Sequence, residues 1–151
     1  MTILATSAPP TSPALAQVNE ATANGDLARR DEIAESLLRS SNDPDELEFA
    51  TSTYFDGDRL LALAGDDRPT HIDTPGRTIE LQIDLALLVS CTFQDGCPPD
   101  APMTLAQCAT TSLCYPGQTM GQIIAMRRSP EEMAYLERLL DHVHRIRKPG
   151  G

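Results

Sequence analysis

Between Thr78 and Phe93 apolar and polar side chains take turns. Ile79, Leu81, Ile83, Leu85, Leu87, Val89, Cys91 and Phe93 form one row; Thr78, Glu80, Gln82, Asp84, Ala86, Leu88, Ser90 and Thr92 form the other. A period of two places the first row on one face of a strand, against a core. The second row loses polarity from Ala86 onward, which predicts passage from a half-exposed region into one covered on both faces. An extended segment of this length would span roughly 50 Å, so a bend or bulge is expected near Asp84–Ala86.

Other patterns flank this segment. Leu27, Ile33, Ala34, Leu37 and Leu38 recur at helical spacing and predict a helix from Asp26 to Arg39. Asn42-Asp43-Pro44 signals a turn, and Pro44-Asp45-Glu46 opens a short helical turn. Phe49–Phe55 and Arg59–Ala64 read as the arms of a hairpin around Asp56-Gly57-Asp58. Residues 65–69 and Thr74-Pro75-Gly76 read as loops. Gly96–Gly117, rich in proline and small residues, reads as largely irregular, with helix around Leu105–Ala109. Thr119–Met126 reads as a further strand. Ser129-Pro130-Glu131-Glu132 combines a capping hydroxyl, proline at the first helical position and a capping-box glutamate. Met133, Leu136, Leu139, Leu140, Val143 and Ile146 supply the apolar face of the helix that follows, and Pro149-Gly150-Gly151 ends it. The expected fold is α+β: a curved, mostly antiparallel sheet, barrel or sandwich, with helices at both ends.

Composition adds domain limits. A chain of 151 residues suits one core. Residues 1–18, with Pro9, Pro10 and Pro13 among Ala, Ser and Thr, cannot offset their ordering entropy by burial and read as a disordered tail. The single domain then covers 19–151.

The net charge is −10 and unevenly spread, with 18 acidic and 6 basic residues before Tyr115 and 4 acidic and 6 basic from there on. An acidic body repels phosphate backbones, so nucleic acid is not an expected partner. Arg145, Arg147 and Lys148 complement the negative end of their own helix. No run approaches the roughly 18 apolar residues needed to cross a bilayer, so no membrane partner is expected. The N-terminal apolar run has no preceding positive charge and makes a poor secretion signal. A cytoplasmic location follows, with cysteines as reduced thiols or metal ligands rather than disulfides.

Candidate chemistry concentrates in few residues. Cys91, Cys97, Cys108 and Cys114 are separated by five, ten and five intervening residues. Four thiolates would suit a closed tetrahedral zinc site, although five intervening residues exceed the usual knuckle spacing. Buried or ordinary thiols and disulfides remain the other states. His71 and Asp73 would project to one side of an extended loop, a geometry usable for metal binding or proton transfer. Glu80, Gln82 and Asp84 would share the strand's polar face, lining a cavity or meeting solvent. His142 and His144 lie about 200° apart on a helix and cannot share a metal. There is no serine-nucleophile elbow, phosphate-binding glycine loop or paired-histidine metal helix.

The order Glu35-Ser36-Leu37-Leu38, Asp43-Pro44-Asp45-Glu46-Leu47, Asp56-Gly57 with Leu60, Pro75-Gly76, Glu80-Leu81, Asp84-Leu85 and Ser90-Cys91 resembles the C-terminal half of the urea-carboxylase-associated family. The likeness spans roughly residues 33–95. It implies a role near urea, guanidine or other carbon–nitrogen hydrolysis.

Three roles follow. The first is a small-molecule-handling enzyme subunit, with Asp84, Cys91, His71 and Asp73 as site residues. There a thiolate or metal-bound water would attack and a carboxylate would accept the proton. The second is a non-catalytic interaction or assembly subunit, docking a protein partner or a second copy through the C-terminal helix face or a sheet edge. The third is a domain stabilised by zinc on Cys91, Cys97, Cys108 and Cys114.

Overall fold

The computed structural model describes residues 12–56, 59–60, 62, 69, 72, 76–93, 96–110 and 115–147. Among the described residues there are helices and no strand. In chain order they are α1 (Pro13–Ala23), α2 (Leu27–Ser40), α3 (Pro44–Tyr54), α4 (Arg77–Thr92), α5 (Pro102–Thr110), α6 (Met120–Arg127) and α7 (Pro130–Arg147). The expected α+β fold, with its barrel or sandwich sheet, is overturned.

Its central strand is α4. Helical spacing divides the row that alternation had grouped together. Leu81, Leu85 and Val89, four residues apart, face the core, whereas Ile79 and Ile83 are 60% and 53% exposed. The segment is rich in leucine and poor in β-branched residues over its second half, which favours helix. Asp84 completed the false pattern by standing on the polar row, yet it lies on the buried side of α4. The expected change of environment at Ala86 is present in helical form: Ala86 and Ser90 are buried, and the Ser90 hydroxyl donates to the Pro44 carbonyl at 3.2 Å.

The two shorter strands fail for a related reason. Both segments follow strong helix starts. Asp43 caps α3 by accepting from the Glu46 amide at 3.0 Å, ahead of Pro44. Thr119 and Gln122 form a full capping box before α6. Once nucleated, each helix extends through Phe49–Tyr54 or through Ile123–Met126. The proposed hairpin return is also lost, since Arg59, Leu60 and Ala62 are helical; the rest of that arm lies outside the described residues.

Helices expected from caps and stripes are present. Asp26 caps α2 at 3.1 Å, and Ser129 and Glu132 exchange backbone hydrogen bonds of 3.1 and 3.0 Å at the start of α7. α1 begins inside the segment expected to be loose: Ser12 caps it, and Val18 is buried. Residues 1–11 and Pro149–Gly151 lie outside the described residues.

α4 is the central element, packed against α3, α6 and α7, while α2 packs against α1, α3 and α7. Leu38, Leu47, Phe55, Leu81, Leu85, Tyr135, Leu136 and Leu139 form the shared core. The ends of α2 and α7 meet and exchange arginines. Arg39 Nη1 donates to the Ile146 carbonyl at 3.2 Å. Arg147 donates to the carbonyls of Leu38 and Ser41 at 2.9 and 2.7 Å, and to Asn42 Oδ1 at 2.8 Å. Arg147 therefore serves the carbonyl end of α2 as well as its own helix.

Candidate functional site

Asp84 is the most constrained of the candidate residues. It is 1% exposed on α4 and faces the turn between α6 and α7. Arg127 Nη2 donates to Oδ1 at 2.6 Å, and Arg128 Nε donates to Oδ2. Arg128 Nη1 also reaches Glu80 Oε2 at 3.3 Å, Arg77 Nη1 reaches the same oxygen at 3.1 Å, and Arg77 Nε pairs with Glu132 Oε2 at 3.3 Å. Burial works to lower the Arg128 pKa, but the hydrogen bond and charge of Asp84, with Glu80 and Glu132, outweigh it and hold the guanidinium above its ordinary value. This network fastens α4 to the start of α7. Both Asp84 oxygens already accept from guanidiniums, which leaves the carboxylate arranged as a clamp.

The Glu80-Gln82-Asp84 row is split: one alternate step on a helix turns Gln82 through about 200°, whereas Glu80 and Asp84, four residues apart, both meet Arg128. Glu80 is exposed, Asp84 is buried, and Gln82 Nε2 donates to the Ser52 and Phe55 carbonyls at 2.7 and 2.8 Å, closing the end of α3.

The expected reduced or metal-bound state of the cysteines is corrected at Cys91 and Cys97, whose sulfurs are joined at 2.00 Å. Both are buried, and Cys97 takes a left-handed backbone conformation with φ of 50°. Cys108 is disulfide-bonded as well. A sulfur in a disulfide offers no thiolate to a substrate or to zinc. No group of three or more histidine, cysteine or acidic side chains is placed to hold a metal among the described residues. His71, Asp73 and Cys114 lie outside them.

The two C-terminal histidines point apart, as their spacing requires. His142 packs against Tyr54 and Phe55, with ring centroids 6.3 and 6.0 Å away, and His144 against Phe93 at 5.7 Å. Burial, and then the charge of Arg145, lowers the His142 pKa below its ordinary 6.5.

A surface that the strand reading concealed lies between α1 and α3. Asp45, Glu48, Phe49 and Ser52 stand at helical spacing along one face of α3, and Leu15 of α1 closes the groove beside them. Phe49 is 38% exposed. Among the described residues neither Asp45 nor Glu48 has a basic partner. The surrounding segment is strongly negative, with ten acidic and three basic residues over 12–56. Pro44 followed by the 45-48-49-52 spacing was the available sequence signal.

Comparison with family models, with curated proteins and with solved structures returned no match. The residues behind the urea-carboxylase-associated likeness, from Glu80-Leu81 to Ser90-Cys91, lie on α4. Among the described residues no helix is long and apolar enough to cross a membrane.

Proposed function

We propose that the chain is an interaction module whose α1–α3 groove takes a basic amphipathic helix from a partner protein. The observation that carries this reading is Phe49, an aromatic left 38% exposed beside two carboxylates that have no basic partner among the described residues. An apolar side chain of the partner would cover the Phe49 ring and Leu15, while lysines or arginines would meet Asp45 and Glu48. The wider negative field over residues 12–56 would steer such a segment inward. This is the second of the three expected roles, moved from the C-terminal helix or a sheet edge to α3.

The carbon–nitrogen hydrolysis role would require Cys91 released from Cys97 and Asp84 released from two arginines. The cytoplasmic placement has a counterweight: disulfides persist most readily in oxidising compartments. The proposal therefore places the working protein in such a compartment.

The test uses a synthetic leucine–lysine amphipathic helix and the full oxidised chain. Amide shifts on titration are expected around Leu15, Glu48 and Phe49, with affinity falling as salt rises. Phe49→Ala should weaken binding roughly tenfold, and Asp45→Asn with Glu48→Gln should flatten the salt dependence. Binding unchanged by either variant, or shifts confined to other helices, would overturn the reading. Dimerisation through Phe49 that blocks the peptide would also overturn it and assign the groove to a second copy.

A further inference from the structure

The segment around α5 is attached unlike the rest of the molecule. Of the nine residues of α5 only Thr104 is buried, and Leu105 stands exposed. Ala101 and Met103 are only partly buried against the core, beside Pro44. The substantial helix packing of α5 is with α6. So little covered apolar surface makes a weak hold for an ordered helix.

Apart from the disulfide at Cys108, the other ties converge on Cys97. Its sulfur is bonded to Cys91 on α4. Its carbonyl accepts from the Thr104 hydroxyl at 3.0 Å and from the Met120 amide at 3.3 Å. Its backbone sits in the left-handed region, which a non-glycine residue occupies only when its surroundings hold it there. One covalent bond thus fixes the residue from which both α5 and the start of α6 are positioned.

We propose that the Cys91–Cys97 disulfide is a redox latch: its reduction releases α5 while the body formed by α1–α4 and α7 stays folded. The reductant is a dithiol. One thiolate attacks a sulfur of the pair and breaks the S–S bond, and the departing cysteine thiolate takes up a proton. The second thiol, losing its proton, attacks the mixed disulfide and frees the other cysteine, which is protonated in turn. The protein gains two electrons and two protons, and the dithiol leaves as its cyclic disulfide. Cys97 then relaxes from its left-handed conformation, and its carbonyl loses the fixed position that Thr104 and Met120 share. The uncovered surface lies at the junction of Pro44 on α3 with the C-terminal end of α4.

Hydrogen exchange on the full chain, before and after treatment with dithiothreitol, reads this directly. Amides of residues 105–110 are expected to exchange roughly thirtyfold faster after reduction, the scale of a short-loop disulfide's contribution. Amides of α2, α4 and α7 should stay protected. The double variant Cys91→Ser, Cys97→Ser, which leaves Cys108 its own bond, should show the same α5 exchange without any reductant. Unchanged α5 exchange in the reduced wild type would overturn the latch, and so would loss of protection in α4 and α7 together with α5. If the double variant does not fold, the chain carrying Cys108→Ser and Cys114→Ser, which keeps the Cys91–Cys97 bond, decides by the same outcomes before and after dithiothreitol.

Discussion

At residue scale, Asp84 on α4 accepts from Arg127 at the end of α6 and from Arg128 in the turn before α7. A buried carboxylate flanked by two guanidiniums is tolerable only with its partners in place. Asp84→Asn leaves both guanidiniums facing a neutral amide, and should cost about 3–5 kcal/mol in urea unfolding. His142 gives a subtler readout. Its pKa is lowered in the fold, so below the ordinary value of 6.5 the unfolded chain binds more protons than the folded one. The His142 contribution is therefore full above that pH and is lost as pH falls through the folded pKa. Arg145→Gln should raise the midpoint of the His142 imidazole in an NMR titration without restoring it to 6.5, because burial is the larger cause. A midpoint unmoved by that change would remove Arg145 from the account. Asp84 was visible in the sequence as a candidate site residue, grouped with Glu80 and Gln82 on a polar face. Arg127 and Arg128 were not, because they lie 43 and 44 residues away and meet it only through the packing of α6 and α7 on α4.

At the scale of elements, the starts of α2, α3 and α7 were legible, whereas those of α1, α4 and α6 were not. Asp26, Asp43, Thr119 and Ser129 all cap helices, and each is a local signal that neighbouring chain alone determines. Ser129→Ala should therefore cost about 1 kcal/mol by thermal or urea unfolding, with the spectroscopic helix signal nearly unchanged. The period of the apolar residues was the ambiguous part. α4 opens on Gly76, whose φ of 89° provides a turn but whose side chain provides no cap, so alternation went unopposed there. Ile79 and Ile83 were assigned to a core that does not reach them. In α2 and α7, by contrast, caps and helical stripes agreed, and both helices were recognisable. The α1–α3 groove was hidden for the same reason as α3: Asp45, Glu48 and Phe49 share a face only once the segment is helical.

At the scale of the molecule, covalent bonds supplement a modest core. Peptide mapping of protein digested without reductant should recover Cys91 and Cys97 in one linked pair, and thiol titration of the unfolded chain should find neither of them free, nor Cys108. Recovery of alkylated Cys91 would withdraw the latch and the preference for an oxidising compartment together. The Cys91–Cys97 pairing was not deducible from spacing, since bridging there depends on where α4 ends and how the chain returns to it. The exchange of arginines between α2 and α7 bears on how the protein is made. Arg147 is joined to the peptide 106 residues after Ser41, whose carbonyl it will bind. During synthesis the nascent second helix must therefore wait with its last turn open to water, and it is finished only when the final turn of α7 emerges from the ribosome.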